Sequence, residues 1–187
     1  MKKDSKKDII KLFFILGLYA LSDGIFYNFQ ELWMMGNNLS VKTISTVFSI
    51  CAIITVSSIF LFSNIVKKEK TKTFAMILIF IKFIISLLLY FLFGSGRNVL
   101  IKLLIEFDYV LEVECYACFY PMMSFITKSN KVYSAKDLTY SGLYAVGVLL
   151  TTFLVGKTFI GRMISYNSYC LVTAILLFLS FVLLVFF

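Results

Sequence analysis

Apolar positions in this chain run on with little interruption, neither alternating every second residue nor forming one stripe per helix turn. Six long runs can be marked, at 9–35, 43–66, 73–93, 99–126, 138–155 and 168–187. Each is far longer than a transmembrane strand of about 9–11 residues, and most reach the roughly 20 residues of a spanning helix. None shows the dyad alternation of a barrel strand. The segments between them are short and carry turn or charge punctuation: Gly36-Asn37-Asn38, Lys67 to Lys72, Gly94-Ser95-Gly96-Arg97, Lys128 to Asp137, and Gly156 to Asn167. No Pro/Ser-rich linker divides them. The pattern predicts an all-α, polytopic membrane protein, with one domain of six transmembrane helices over residues 1–187.

Composition agrees. Of 187 residues 60% are hydrophobic and 15% charged, with one Pro and no His, against about 45–50% and 25% in soluble domains. The net charge of +8 raises nucleic acid as a partner in a soluble chain, but here the basic residues sit between apolar runs and form no aromatic-interleaved face. Lys2, Lys3, Lys6, Lys7 and Lys11, then Lys67, Lys68, Lys70 and Lys72, then Lys128, Lys131 and Lys136 fall in alternate connections. The opposite connections hold only Lys42, Arg97, Lys157 and Arg162. This bias predicts that both termini are cytoplasmic, and the chain is read as a multi-pass protein of the cell (inner) membrane of a bacterium. The basic N-terminus followed by an apolar run also reads as a signal peptide with Ala20-Leu21-Ser22 at its cleavage site, but apolar character resumes through Ile25, Phe26 and Phe29 to Met35 and makes a full span.

Ionisable residues within spans are costly in lipid and point to function. In the first span Tyr19, Asp23, Tyr27 and Gln30/Glu31 recur every three to four residues and share one helical face. Asp23 is read as contacting a cation or carrying a proton, or as an interior structural aspartate. Ser22 and Gly24 beside it permit close backbone approach. The fourth span carries Lys102, Glu106, Asp108, Glu112 and Glu114. Lys82 in the third span and Asp108 in the fourth both lie about 15 Å from the same end of their helices at 1.5 Å per residue, so Lys82 can meet Asp108 or Glu106. Such a group is either a network that breaks and re-forms or a static neutralising pair. One lysine cannot neutralise so many acids, and some of them are expected to line water.

Cys51, Cys115, Cys118 and Cys170 all lie in apolar runs and read as small buried hydrophobes, with no metal site and no disulfide framework. Gly142, Gly147, Gly156 and Gly161 read as packing and loop positions, and Pro121 as a kink or the end of the fourth span. Phosphate-cradling, HExxH and GxSxG motifs are absent, so no enzyme and no cofactor are expected.

Ser22-Asp23-Gly24 in the first helix, the turn Gly36-Asn37-Asn38-Leu39-Ser40, and the basic loop Ser63 to Lys72, with Lys68 and Lys72 at basic positions, resemble the N-terminal six-helix half of a major facilitator superfamily transporter. The resemblance implies two three-helix repeats whose first helices line a central cavity. Those are spans one and four, which carry Asp23 and the acidic cluster. It implies alternating access, and the excess of acidic groups favours a small cationic solute, with Asp23, Tyr27, Glu106, Asp108 and Glu112 binding substrate or proton and Lys82 and Lys102 as counter-charges. Because Phe187 ends the sixth span, the expected partners are the lipid bilayer, the solute, and a second copy or second six-helix half. The alternatives are a non-transporting accessory or immunity protein, or a truncated remnant of such a carrier.

Overall fold

Leu, Ile, Val and Phe in unbroken runs leave no backbone polar group a partner outside its own segment, and in an apolar surround the helix is the local solution. A computed structural model of the chain describes residues 5–36, 41–65, 70–127, 130–155 and 166–187. It is all-helical over these residues, with six helices: α1 (Ser5–Gly36), α2 (Val41–Ile65), α3 (Thr71–Leu92), α4 (Asn98–Ile126), α5 (Asn130–Val155) and α6 (Tyr166–Val185). Three are long and apolar enough to cross a membrane, over Lys6–Tyr27, Thr71–Leu92 and Asn167–Val185. The connections at 37–40, 66–69 and 156–165 lie outside the described residues, with Lys67, Lys68, Gly156 and Gly161. So do Lys2, Lys3, Lys128, Lys157 and Arg162.

The middle of the bundle is α1, which packs against α5, α6 and α4. Leu12, Ile15, Leu16, Tyr19 and Ala20 are almost wholly buried there. Against α5 the approach is backbone to backbone. A Cβ on Gly24 would stand 2.1 Å from the carbonyl oxygen of Tyr144, and one on Gly147 would stand 2.7 Å from that of Leu21. Small residues at a crossing let helices pack this closely. Thr151 on α5 adds a side-chain hydrogen bond at 2.9 Å to its own helix at Gly147 and a longer one, 3.4 Å, to the Ile25 carbonyl.

Two bonds fix α3 antiparallel to α6. Lys72 at the start of α3 donates to the Val185 carbonyl at 3.4 Å, and Asn167 at the start of α6 donates to the Tyr90 carbonyl at 2.7 Å. The predicted turn at 94–97 joins α3 to α4, and Gly94 (φ 86°) and Gly96 (φ 73°) supply its two left-handed positions, which side chains disfavour. The helix pairs in substantial contact are α1·α5, α1·α6, α1·α4, α2·α4, α3·α4 and α3·α6. Exchanging α1 with α4, α2 with α5 and α3 with α6 returns the same set.

Two sequence expectations need correction here. Residues 130–137 form the first two turns of α5 and are not part of a loop. Lys136, read as a lysine of the connection between the fourth and fifth runs, is buried, because α4 covers that face with Tyr116 and Tyr120. Pro121 does not end α4, which continues to Ile126.

Candidate functional site: a buried ionic centre

Four helices bring their ionisable side chains to one point. On α1 the three-to-four-residue spacing aligns Tyr19 and Asp23 toward the interior, and both are buried. Lys82 arrives from α3 and Asp108 and Glu112 from successive turns of α4. Lys82 Nζ lies 3.1 Å from Asp23 Oδ1 and 3.0 Å from Asp108 Oδ2, with the Asp108 backbone oxygen at 3.4 Å. Three acceptors match the three protons of an ammonium. The side chains of the triad are only 1–3% exposed.

The expected meeting of Lys82 with Asp108 is present, and Asp23 is a second partner that sequence did not give. Glu106 is not brought to Lys82. It pairs instead with Lys102 on its own helix, at 3.6 Å, both side chains a quarter or more exposed. Such a half-exposed pair contributes about 0.3–0.5 kcal/mol. We predict that Lys102→Gln and Glu106→Gln each shift the thermal midpoint of purified protein by no more than about 2 °C. Glu114 is buried elsewhere on α4, a turn from Cys118. The side chains of Gln30 and Glu31 lie outside the described residues.

Tyr140, a residue sequence reasoning missed, ties the carboxylates together. Its hydroxyl lies 3.1 Å from Glu112 Oε1 and 3.3 Å from Asp23 Oδ2. Tyr19 donates to the Glu112 backbone oxygen at 2.9 Å, and its ring lies 5.7 Å from the Lys82 ammonium. Three carboxylates therefore gather around one lysine. Glu112, half-buried, is the one that Lys82 does not touch. Asp108 Oδ1 is buried without a hydrogen-bond partner, as is Ser86 Oγ one turn along α3 from Lys82. Native proteins seldom leave such atoms bare. The centre thus has spare acceptor capacity, which suits a proton or a cation.

A second polar group lies one turn toward the α4–α5 connection. Lys136 donates to the Tyr116 hydroxyl at 2.9 Å and pairs with Asp137 at 2.8 Å, while Tyr116 also donates to Asp137. The Lys136 ammonium stands 4.1 Å from the centre of the Tyr116 ring. Hydrogen bonds from Lys136 and Tyr116 hold the Asp137 carboxyl below the usual carboxylate range. The rings of Tyr116 and Tyr140, 4.3 Å apart, join this group to the ionic centre.

All four cysteines are free and buried, and no group of metal-ligating side chains is found among the described residues. Fold and site together define a chain that is all-helical over the described residues, with three helices long and apolar enough to cross a membrane and an ionic centre inside the bundle. Comparison with protein-family models, curated proteins and solved structures finds no match to this chain. The likeness to the major facilitator superfamily accordingly rests on the sequence features given above.

Proposed function

We propose that the chain is a half-size membrane carrier of the major facilitator type, moving a small cationic solute by alternating access as a dimer or with a second six-helix half. The observation that carries this reading is the gathering of Asp23, Asp108 and Glu112 around the single Lys82. Burying a charge without full compensation costs several kcal/mol per ion, so a purely structural cluster would be expected to balance. An acidic excess instead suits a site that is completed by a cation or proton.

The set of helix contacts, unchanged when the first three helices are exchanged with the last three, supports two repeats. Carriers of this kind hold substrate near mid-membrane between repeats, and Asp23 and Asp108 lie on the first helix of each proposed repeat. In the cycle, Lys82 is the counter-charge: it releases a carboxylate when cation or proton arrives and takes it back when that ligand leaves. Six spans in the inner membrane are part of this reading, and the lysine bias supports an orientation with both termini cytoplasmic. A second reading, a non-transporting accessory protein, is favoured by one feature, the full set of acceptors around Lys82, which suits a static clasp.

Reconstitution into vesicles separates the two. The carrier reading expects uptake of at least one of a panel of labelled organic and inorganic cations, and a mass of two chains, or of one chain with a second six-helix protein, in nanodiscs. Asp23→Asn is expected to lower that uptake at least tenfold. No uptake of any cation, from a clean single chain, would leave the accessory reading.

A further inference from the structure

The polar face of α1 runs on from Asp23 to Tyr27, whose ring lies against Phe48 and Tyr144. In the other direction, toward its start, α1 becomes basic. Lys6, Lys7 and Lys11 are exposed there, and Lys7, Lys11 and Phe14 follow one another on a single outward stripe. A second basic group opens α3: Lys70, exposed, and Lys72, half-buried with its amine on the Val185 carbonyl. The two groups lie at one depth. Moving from Tyr19 to Asp23 along α1 means moving back along α4, from Phe119 to the Asp108 that shares Lys82. Helix α1 is therefore antiparallel to α4, as α3 is across the tight turn, and α1 and α3 run parallel. Lys11 lies twelve residues before Asp23 and Lys72 ten before Lys82, about 18 Å and 15 Å at 1.5 Å per residue. Helix α6 packs on both α1 and α3, and its last turn, at Val185, ends between the two lysine groups. Among the described residues of these three helix ends, five lysines stand against one acid, Asp8.

We propose that this end of the bundle binds an anionic phospholipid with two phosphates, of the cardiolipin class, one phosphate at Lys7 and Lys11 and the other at Lys70 and Lys72. The inference goes beyond the carrier reading and does not need it; it uses only a membrane around the bundle. A hydrocarbon core is about 30 Å thick, so lysines about 15–18 Å from the ionic centre reach headgroup level when that centre lies near mid-membrane. Basic pockets between helices on the cytoplasmic side suit such headgroups. Both groups also sit at helix starts, where free backbone N–H groups and the positive dipole end add to the attraction. The surface for the tails is on the same side. Leu183, Val185 and Phe186 are exposed at the end of α6. Farther along, α3 and α6 leave an apolar groove of about 220 Å³ lined by Phe83, Leu87, Leu171, Ile175 and Phe178. Phe83 is eleven residues past Lys72, about 16 Å along α3, within reach of an extended acyl chain. A soluble anion would use the lysines and leave the groove idle, whereas a phospholipid uses both.

The test is native mass spectrometry of the purified full chain in detergent, titrated separately with cardiolipin, phosphatidylglycerol and phosphatidylcholine. The expected result is one retained cardiolipin per chain, bound at least tenfold more tightly than phosphatidylcholine and at least threefold more tightly than phosphatidylglycerol. Lys7→Gln with Lys11→Gln, or Lys70→Gln with Lys72→Gln, weakens it at least tenfold, since each lysine near an anionic headgroup accounts for about fivefold. Lys131→Gln removes the same charge from an exposed lysine at the start of α5 and changes binding less than twofold. Lys72→Arg keeps the charge and stays within about threefold of the wild type, which separates loss of the headgroup contact from loss of the fold. Glycerol phosphate, which has no tails, does not displace the lipid at a hundredfold excess. Cardiolipin held no better than either other lipid, displacement by glycerol phosphate, or an equal loss from Lys131→Gln and the paired variants would overturn the proposal. Lipid preference in a chain that takes up no cation would keep this site and remove the carrier reading. Cation uptake without lipid preference would do the reverse.

Discussion

Lys82→Met lowers the stability of the purified protein by about 3–5 kcal/mol, the usual cost of removing one partner from a buried ion pair. In a chain of this length that is on the order of 10 °C in thermal midpoint. The cause is not lost packing, since methionine fills similar space. Asp23 and Asp108 would be left facing each other in an interior where their side chains are at most 3% exposed, with nothing to offset their charge. A triple variant, Lys82→Met with Asp23→Asn and Asp108→Asn, recovers most of the midpoint, because replacing a whole buried ionic group by neutral side chains is often neutral or stabilising. A thermal scan of the four proteins checks this. If Lys82→Met melts with the wild type, Lys82 is not the charge that holds the two aspartates.

Gly24→Ala has a comparable effect through sterics alone. The added Cβ would fall 2.1 Å from the Tyr144 carbonyl oxygen, and backbone on both sides of the contact leaves no flexible side chain to yield. Helices α1 and α5 must then separate by about 1 Å or more, losing the packing around Thr151 and drawing Tyr140 away from Asp23. Overpacking of this kind typically costs 1–3 kcal/mol or more. Gly142 lies on the same helix as Gly147, but a Cβ there meets nothing within 4 Å. Gly142→Ala is expected to be neutral or to stabilise by up to about 1 kcal/mol through helix propensity. Midpoints that fall equally for both substitutions would contradict a close crossing at Gly24.

Much of the centre is legible in the chain because depth in adjacent antiparallel helices can be counted. Lys82 and Asp108 flank one tight turn, so equal distances from it put them at the same level, and they meet at 3.0 Å. Asp23 as the second partner is not legible that way. Residues 37–40 and 66–69, outside the described structure, separate α1 from α3, and no count along the sequence fixes the rotation of one about the other. Tyr140 is hidden for another reason: a tyrosine in an apolar run carries no charge to mark it. Its i, i+4 spacing with Lys136 and Tyr144 is the signal that a reading of α5 could have used. The start of α5 is not legible because Lys136 and Asp137 look like loop residues, and only the packing of Lys136 against Tyr116, with Asp137 left exposed beside it, shows otherwise. Among the described residues three helices are long and apolar enough to cross a membrane, while α4 carries Lys102, Glu106, Asp108, Glu112 and Glu114, whose partners only tertiary packing reveals.

The most direct test of the central claim is cation uptake by vesicles holding the triple Lys82→Met, Asp23→Asn, Asp108→Asn protein, measured beside the wild type on samples with matched melting midpoints. If the buried ionic centre works in transport, the triple variant folds but takes up less than a tenth of the wild-type amount. Wild-type uptake by that variant would show that the centre only holds the helices together.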